Sequence, residues 1–306
     1  MDNLCLLLRE QGVEPTWFWP SGRDWQLHPD QLPRRGEVDA VVVNGEGTIH
    51  HSATRPRAHW LAAVGRFSHD RLGVPAFLVN ATLEANEAAL YTALREFDGI
   101  FVRERGSLDE LARFGLSGTL VPDLTLAIGP RTAPARRAGV LVTDSVLPAV
   151  TARLRQYSDG HGAEYFTLHY PRKPPPKQLR RPVLFLRRYL AWRAAARAGR
   201  LDSDYFVNRI ASARFVVSGR FHAVTVAVLT ETPFVGIASN TSKIEAMLED
   251  ALGNAERMVH AGALPALDVE ALSRFTGEEL VRLRDFVSSG QIAARRMFER
   301  IAGRCG

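Results

Sequence analysis

An arginine and a histidine two residues apart, Arg220 and His222, are the side chains of this chain best suited to chemistry. They directly follow a β-branched and aromatic run, residues 214–217, which predicts a buried strand that Ser218 and Gly219 end. A guanidinium binds carboxylates and phosphates bidentately, and an imidazole transfers protons near neutral pH. Because residues two apart on an extended segment point to the same side, the pair is a candidate anion site with a proton donor beside it. For His222 the alternative is a buried histidine bonded to the backbone, and residue type and spacing alone favour that alternative.

The elements around this pair predict how it is positioned. An apolar helix over residues 223–230 is followed by a strand over 233–238 and by a helix over 244–252. This alternation is the repeating unit of a parallel α/β sheet, where ligands bind outside the carboxyl ends of the strands. The polar residues after the second strand are therefore predicted to bind substrate, through backbone N–H groups at a helix start and through a lysine ammonium. They are Asn240, Thr241, Ser242 and Lys243.

A glycine-bearing segment follows the strong strand pattern of residues 38–43. Two interpretations of Gly45 and Gly47 stay open: they bring backbone N–H groups close to an anionic ligand, or they form a tight turn. Glu46, between them, is a candidate general base for a hydroxyl, and the alternative is a surface carboxylate of the turn. The nearby histidines His50 and His51 receive no role.

Arg103 ends a predicted strand over residues 99–103, where a substrate cleft would lie. It is a candidate second contact for an anion, and the alternative is a surface ion pair with Glu104 or Asp123. For Asp123 itself, capping of the following turn is the stronger interpretation. Ser107 is predicted to be the N-cap of a helix that ends near Gly115.

Three of these segments resemble the polysaccharide pyruvyl transferase family. The C-terminal one is Ser218-Gly219-Arg220-Phe221-His222 with the apolar helix, the strand and the Ser242-Lys243 helix start that follow it. Residues 102–111 resemble the family's Val-Arg-acid-x-x-Ser-x-x-x-Leu pattern, and Gly45 to Gly47 resembles its Gly-x-Gly element. The resemblance spans about residues 38–252.

The resemblance implies a fold and an activity. The fold is α/β, with two Rossmann-like domains facing across a cleft in a glycosyltransferase-B-like architecture. The activity moves the enolpyruvyl group of phosphoenolpyruvate onto two sugar hydroxyls of a cell-surface polysaccharide or its lipid-linked precursor, forming a cyclic ketal and releasing phosphate. His222 would supply the proton, Arg220 and Arg103 would bind the donor, and no cofactor is needed. Family members usually start earlier, with a further strand and glycine loop, so either the start is misassigned or the N-terminal sheet is shortened.

The expected domain organisation follows the alternation of strands and helices. Residues 1–130 are predicted to form an N-terminal α/β domain, and residues 131–138, rich in proline and arginine, a linker. Residues 139–306 are predicted to form a C-terminal α/β domain. This second domain contains a basic insertion over residues 171–200 and a helical tail that starts at Asp268.

Composition and charge narrow the function classes. The net charge of the 306 residues is +6, but residues 171–200 hold ten Lys and Arg residues and no acidic one, so nucleic-acid binding by the whole protein is not expected. Within this segment, aromatic residues among arginines indicate peripheral contact with an anionic membrane, and a solvated excursion is the alternative. Cys5 and Cys305 lie at opposite ends and fit a reducing cytoplasm, and no segment has metal-ligand spacing. No secretory or membrane-spanning segment is predicted.

Two other function classes stay open from the sequence. A nucleotide-sugar glycosyltransferase would use the same fold, with Glu245 or Glu249 on the ribose and Arg220 and Lys243 on the diphosphate. A non-catalytic member of the fold would bind a glycan or a partner protein. Release of phosphate from phosphoenolpyruvate in the presence of an acceptor distinguishes the pyruvyl transferase from both.

Overall fold

The computed structural model describes residues 2–129, 136–168, 171, 173–200, 202–238 and 242–305. Residues 131–135 of the predicted linker lie outside the described residues. The chain divides into two compact units. Unit 1 comprises Met1–Ile128, Glu249–Ala251 and Arg284–Gly306, and unit 2 comprises Gly129–Leu248 and Leu252–Leu283.

Unit 1 is built on a four-stranded parallel sheet with the strand order β1-β2-β3-β4. Its strands are β1 (Val41–Asn44), β2 (Ala76–Ala81), β3 (Gly99–Val102) and β4 (Thr119–Leu120). All six residues of β2 are buried, as expected for an apolar strand covered on both faces of a parallel sheet. The helices before, between and directly after these strands are α1 (Asp2–Glu10), α2 (Pro56–Ala62), α3 (Val64–Phe67), α4 (Ala88–Leu94), α5 (Arg105–Arg113) and α6 (Leu124–Ala127).

Unit 2 is built on a five-stranded parallel sheet with the strand order β6-β5-β7-β8-β9. Its strands are β5 (Ala138–Ser145), β6 (Glu164–Phe166), β7 (Ala213–Gly219), β8 (Phe234–Ile237) and β9 (Met258–Val259). Its helices are α7 (Pro148–Gly160), α8 (Pro182–Arg197), α9 (Ser203–Ala211), α10 (Phe221–Leu229), α11 (Lys243–Leu252) and α12 (Val269–Leu272). Two parallel sheets with intervening helices confirm the predicted α/β class.

The last helix, α13 (Gly277–Ala302), is continuous over 26 residues, whereas the sequence shows helical spacing of apolar residues in two stretches, 278–286 and 291–301. A Cβ atom at Gly290 would lie 3.2 Å from Cγ of Pro122, so the glycine permits close packing rather than ending the helix. The apolar face of its C-terminal half, including Met297 and Phe298, packs on Phe77 of unit 1. Residues 284–306 therefore belong to unit 1, although the sequence pattern assigns all of residues 139–306 to one domain.

The run Thr16-Trp17-Phe18-Trp19 predicts a strand, and this prediction is wrong, because the segment has no hydrogen-bonded neighbouring strand. Instead, the indole N–H of Trp17 donates to the carbonyl of Gln31, and that of Trp19 donates to the carbonyl of Arg23. The two indole rings stack with 5.9 Å between their centroids. The alternating aromatic pattern thus serves to hold an irregular segment together.

Candidate functional site

Arg220 lies at the carboxyl end of β7, as predicted, and it is the N-cap residue of α10. Its backbone is extended, with φ −112° and ψ 124°, and its backbone N–H donates to Oγ of Ser218 at 3.0 Å. Ser218 Oγ also lies 2.7 Å from Oγ1 of Thr143 on the neighbouring strand. A buried hydroxyl pair therefore fixes the backbone from which the Arg220 side chain projects.

Asp144, near the end of β5, is the ion-pair partner of Arg220. Nη2 of Arg220 donates to Oδ2 of Asp144 at 2.6 Å, and the Asp144 side chain is only 6% exposed. Asp144 is itself held by the hydroxyl of Thr167 and by the backbone N–H of Leu168, both at 3.2 Å. Because both oxygens of this carboxylate accept hydrogen bonds, it is a rigid anchor for the guanidinium.

The Nε atom of Arg220 is buried and has no hydrogen-bond partner among the residues that the structure describes. A buried donor left without a partner costs about 1–3 kcal/mol. The guanidinium therefore retains unsatisfied donor capacity while Asp144 holds its Nη2. An arginine that is anchored at one nitrogen and unsatisfied at another is suited to receive the oxygen of an anion.

The two strand ends that carry Arg220 and Asp144 approach each other closely. Gly219 pairs with Ser145 in the β5–β7 register, which shifts between Val142 and Ser145. A Cβ atom on Gly219 would lie 2.6 Å from Cβ of Ser145, so only glycine fits at this position. The glycine before Arg220 is thus required for the contact of the two strands.

His222 is the second residue of α10 and is exposed to solvent. The sequence argument that residues two apart on an extended segment share a side does not hold here, because the helix starts at Phe221. The imidazole is packed edge-on against the ring of Phe221, with 5.6 Å between the ring centroids. His222 is therefore accessible to solvent, and its role in proton transfer stays a prediction.

Tyr165 on β6 adds a phenol to this end of the sheet. Burial raises the pKa of the Tyr165 phenol, and the charge of the Asp144 carboxylate raises it further, against the opposing effects of Arg155 and Arg220. The guanidinium of Arg155 lies over the ring, 4.8 Å from its centroid. The phenol is protonated at neutral pH, as an ordinary tyrosine is, and it lies within electrostatic reach of Asp144.

Ser242 and Lys243 lie where the sequence places them, at the start of α11 after β8. Ser242 is exposed and Lys243 is half-buried. Since β8 is the neighbour of β7, both residues belong to the same carboxyl edge of the unit 2 sheet as Arg220. Asn240 and Thr241, also predicted to bind substrate, lie outside the described residues.

Replacement of Asp144 with asparagine is expected to weaken binding of an anionic ligand. The variant keeps the size of the side chain but loses the charge that holds Nη2 of Arg220. A hydrogen bond between charged groups contributes about 1.5–3 kcal/mol, so the dissociation constant of an anion that binds Arg220, with inorganic phosphate as the probe, should rise about tenfold or more. Isothermal titration calorimetry with the wild-type and Asp144→Asn proteins measures this change.

A double-mutant cycle separates positioning of Arg220 from a general loss of structure. Because Asp144 acts through Arg220, Asp144→Asn should have little further effect on binding in an Arg220→Lys background. Equal effects in both backgrounds would show that Asp144 does not act through Arg220. Thermal denaturation of each variant serves as the folding control.

In unit 1, the predicted glycine segment forms a tight turn after β1. A Cβ atom on Gly45 would lie 2.8 Å from Cβ of Ala81, and Gly47 has a φ of +60°. The backbone N–H of Glu46 donates to Oδ1 of Asn44 at 3.2 Å, and Glu46 is half-buried. Packing and backbone conformation account for both glycines, and their predicted contact with an anion stays a prediction, as does the role of Glu46.

His50, which received no role from the sequence, is buried directly after this turn. Its Nε2 lies 2.9 Å from Nη1 of Arg55 and 3.2 Å from the carbonyl of Gly47, and its Nδ1 lies 3.0 Å from Nδ1 of His51. His51 has a φ of +53°, a conformation that non-glycine residues seldom adopt. The pair of histidines therefore supports the shape of the turn that presents Glu46.

Arg103 is buried within unit 1, at the carboxyl end of β3. Its side chain is 2% exposed and that of Asp123 is 3% exposed, so the ion pair is internal and not at the surface. Nη1 donates to Oδ2 of Asp123 at 2.8 Å, and both Nε and Nη2 donate to Oγ1 of Thr82. Asp123 also caps α6 by accepting from the N–H of Thr125. Contact of Arg103 with substrate stays a prediction beside this structural role.

In the segment after Arg103, the predicted role of Ser107 as a helix N-cap is wrong. Helix α5 starts at Arg105 with Glu104 as its N-cap residue, so Ser107 is not the N-cap. The hydroxyl of Ser107 instead donates to the carboxylate of Glu104 and accepts from the N–H of Leu83 at 2.8 Å. Thr82 donates to the same carboxylate at 3.2 Å. The Arg-acid-x-x-Ser pattern thus forms a buried polar network around the ends of β2 and β3.

Replacement of Asp123 with alanine is expected to destabilise unit 1. Removing one partner of a buried ion pair costs about 3–5 kcal/mol, because the other charge stays buried. Asp24→Ala is the matched control: Asp24 caps a helical turn in the same unit by accepting from Gln26 but is partly exposed. Loss of such a cap costs about 1 kcal/mol. Urea unfolding followed by tryptophan fluorescence measures both changes, and equal losses would contradict an essential Arg103–Asp123 pair.

Asp144, Tyr165 and Thr167 were not identified from the sequence. The available signal was the polar run Thr143-Asp144-Ser145 directly after an apolar strand pattern, at the kind of strand end where ligands bind. Within the described part of the chain, no cluster of His, Cys, Asp and Glu side chains could hold a metal ion. No helix among the described residues is long and apolar enough to cross a membrane.

The fold and the site define the class of protein. It is an α/β protein in which Arg220, Ser242 and Lys243 follow two neighbouring strands at the carboxyl edge of a parallel sheet. Residues 6–241 match the model of the family described as polysaccharide pyruvyl transferase. This match covers more than half of the 306 residues, so the chain belongs to the polysaccharide pyruvyl transferase family and is a transferase.

The other comparisons give distant similarities. An uncharacterised protein of Klebsiella pneumoniae is similar over 85% of this chain and 87% of its own, with 11% sequence identity and a TM-score of 0.49. A mutant of S. aureus TarM in complex with fondaparinux, α-GlcNAc-glycerol and UDP is similar over 82% of this chain and 53% of its own, with 11% identity and a TM-score of 0.42. No curated protein matches the chain significantly.

Proposed function

We propose that the protein transfers the enolpyruvyl group of phosphoenolpyruvate onto two hydroxyls of a sugar, in a cell-surface polysaccharide or its lipid-linked precursor. The observation that carries this proposal is the state of Arg220. It is anchored by Asp144 at 2.6 Å, yet its buried Nε has no partner among the described residues. A carboxylate or phosphate oxygen of the donor would satisfy this N–H.

The donor carries a carboxylate and a phosphate close together, so its site needs more than one cationic or N–H group. Arg220 supplies a planar fork suited to one of these anions. Lys243 and the start of α11, which has ten residues, follow the adjacent strand β8. We assign the second anionic group to the Lys243 ammonium and to the backbone of residues 240–242.

His222 is proposed to deliver the proton that the donor requires. In the reaction, the methylene carbon gains a proton, the neighbouring carbon forms two bonds to sugar oxygens, and the bond to phosphate breaks. The two sugar hydroxyls each lose a proton. One of these protons makes good the proton that the methylene carbon has gained, and the other leaves with the phosphate. An exposed imidazole on the first turn of α10 can exchange protons with both the donor and solvent.

Glu46 and the turn that carries it are proposed to act on the sugar acceptor. Glu46, presented by the turn between Gly45 and Gly47, is the candidate base that removes a hydroxyl proton. The backbone N–H groups of this turn and Arg103 are candidate substrate contacts. The reaction needs no cofactor beyond the donor substrate itself.

Phosphate release tests the proposed function. The purified protein is incubated with phosphoenolpyruvate and a panel of lipid-linked and free sugars, and phosphate and ketal are measured together. Acceptor-dependent release of phosphate supports pyruvyl transfer. Release of a nucleoside diphosphate from a nucleotide sugar, without turnover of phosphoenolpyruvate, would replace it with glycosyl transfer. Glycan binding without turnover of either donor would identify a non-catalytic member of the family.

We also propose a cytoplasmic location, with peripheral contact at the inner face of the membrane through residues 171–200. Support comes from the ten basic residues and the absence of acidic residues in this segment. A positively charged segment is attracted to anionic lipid, and a lipid-linked acceptor would be found at the same surface.

A further inference from the structure

The outward face of α8 carries a line of exposed aliphatic side chains, which the sequence pattern did not single out. Val183 is 81% exposed, Leu186 56% and Leu190 54%. Their spacing of three and four residues places them in one line along the helix. Large aliphatic side chains at this exposure, in a contiguous line, mark an interaction surface rather than scattered surface residues.

The aromatic side chains of α8 face the other way. Phe185, Tyr189 and Trp192 are half-buried, and their rings contact one another in sequence, with centroid distances of 6.1 Å and 5.7 Å. The ammonium of Lys173 lies 5.3 Å from the Trp192 ring, and Ala195 on the same side is buried. These residues attach the helix to its own segment, which leaves the aliphatic line as the face for a partner.

Arginines flank the aliphatic line. Arg187, Arg193 and Arg197 are all exposed. Arg187 lies four residues after Val183, and Arg193 lies three residues after Leu190. Arg197 lies one helical turn after Arg193. Long basic side chains beside apolar ones can place their stems along an apolar surface and their charges among anionic groups. An aliphatic line flanked by arginines is one arrangement by which a helix can contact a membrane interface.

We infer that the outward face of α8, defined by Val183, Leu186 and Leu190 with Arg187, Arg193 and Arg197, binds the surface of a bilayer that contains anionic phospholipid. Charge complementarity favours this occupant, because residues 171–200 contain no acidic side chain. A second copy of the chain fits less well, since a symmetric contact through this face would bring like charges together. The inference rests on the proposed function in one respect: membrane contact would give the protein access to a lipid-linked acceptor.

The test is co-sedimentation of the protein with vesicles, without donor or acceptor, so that its outcome is independent of catalysis. Vesicles of phosphatidylcholine with phosphatidylglycerol are compared with phosphatidylcholine alone, at low and high salt. The protein is expected to bind the anionic vesicles and to be released by salt. No binding by the unmodified protein would overturn the inference.

Two variants locate the contact. The triple variant Val183→Gln, Leu186→Gln, Leu190→Gln should lower the partition coefficient about tenfold or more, because three aliphatic side chains no longer enter the interface. Its matched control is Leu27→Gln, Val281→Gln, Ile292→Gln, the same change at exposed aliphatic residues elsewhere. The quadruple variant Arg187→Gln, Arg188→Gln, Arg193→Gln, Arg197→Gln should also lose binding. Its control removes the same charge from Arg57, Arg71, Arg295 and Arg296, which are exposed outside the segment.

The control proteins should bind as the unmodified protein does. Equal losses in a variant and its control would show that net charge or general hydrophobicity, and not α8, causes binding. Retained vesicle binding by the triple variant would also overturn the inference. Self-association that the triple variant abolishes, with no binding to vesicles, would assign the face to a second copy of the chain. Circular dichroism establishes that each variant is folded.

Discussion

His222→Asn is expected to lower the turnover number by about 10²–10⁴-fold, the usual contribution of a positioned general acid or base. Asparagine keeps a polar side chain at the start of α10 but cannot transfer a proton. Because the lost interaction belongs to the transition state, the affinity for phosphoenolpyruvate should change little. Steady-state rates of phosphate release, with donor affinity from calorimetry, measure the two quantities separately.

His260→Asn is the matched control for this variant. His260 is also an exposed histidine of unit 2, and its Nδ1 accepts from the backbone N–H of Gly262 within its own turn. Its replacement should leave turnover unchanged. An unchanged turnover in His222→Asn, with weakened donor affinity, would show that His222 binds the donor and does not transfer a proton.

Arg220→Lys is expected to lose most activity while the protein stays folded. Lysine keeps the positive charge but lacks the planar fork that holds Asp144 and an anion at the same time. The donor affinity should therefore fall by about tenfold or more, and the rate with it. Calorimetry with phosphoenolpyruvate and phosphate release at saturating acceptor give both values.

Arg214→Lys is the control for this change. Arg214 lies on the same strand as Arg220 but near its other end, where Nη1 contacts both carboxylate oxygens of Glu270 at 3.0 Å. Because this pair is exposed, its loss should affect stability and activity only slightly. Full affinity for phosphoenolpyruvate in Arg220→Lys would contradict the assignment of Arg220 to the donor.

Much of the α/β alternation follows from short-range patterns. Apolar β-branched runs predict the central strands β2, β5 and β7, because a strand covered on both faces needs apolar side chains at every position. The strand β9, with two residues, is too short for any periodicity to reveal. The predicted strand at Thr16 to Trp19 failed because strand propensity requires a neighbouring strand to become a sheet.

The candidate site was predictable from the sequence only where it depends on short-range patterns. Arg220 and His222 are found from the sequence because residue type and position after a strand are local features. Asp144 was not found, because the contact with Arg220 joins residues 76 positions apart. Similarly, the pattern around Arg103 located a strand end but not the burial of its side chain against Asp123 and Thr82.

The sequence by itself determined the class of fold, the family and the chemistry of the side chains at the ends of β7 and β8, since these depend on local pattern and residue type. Only the tertiary structure decided which of these side chains are accessible and which are held. It buried Arg103, anchored Arg220 on a carboxylate from β5, and turned the aromatic residues of α8 inward with Val183, Leu186 and Leu190 outward. The physical reason is that burial and pairing depend on strands and helices that are distant in the chain, and a local pattern contains no information on which of them will be neighbours.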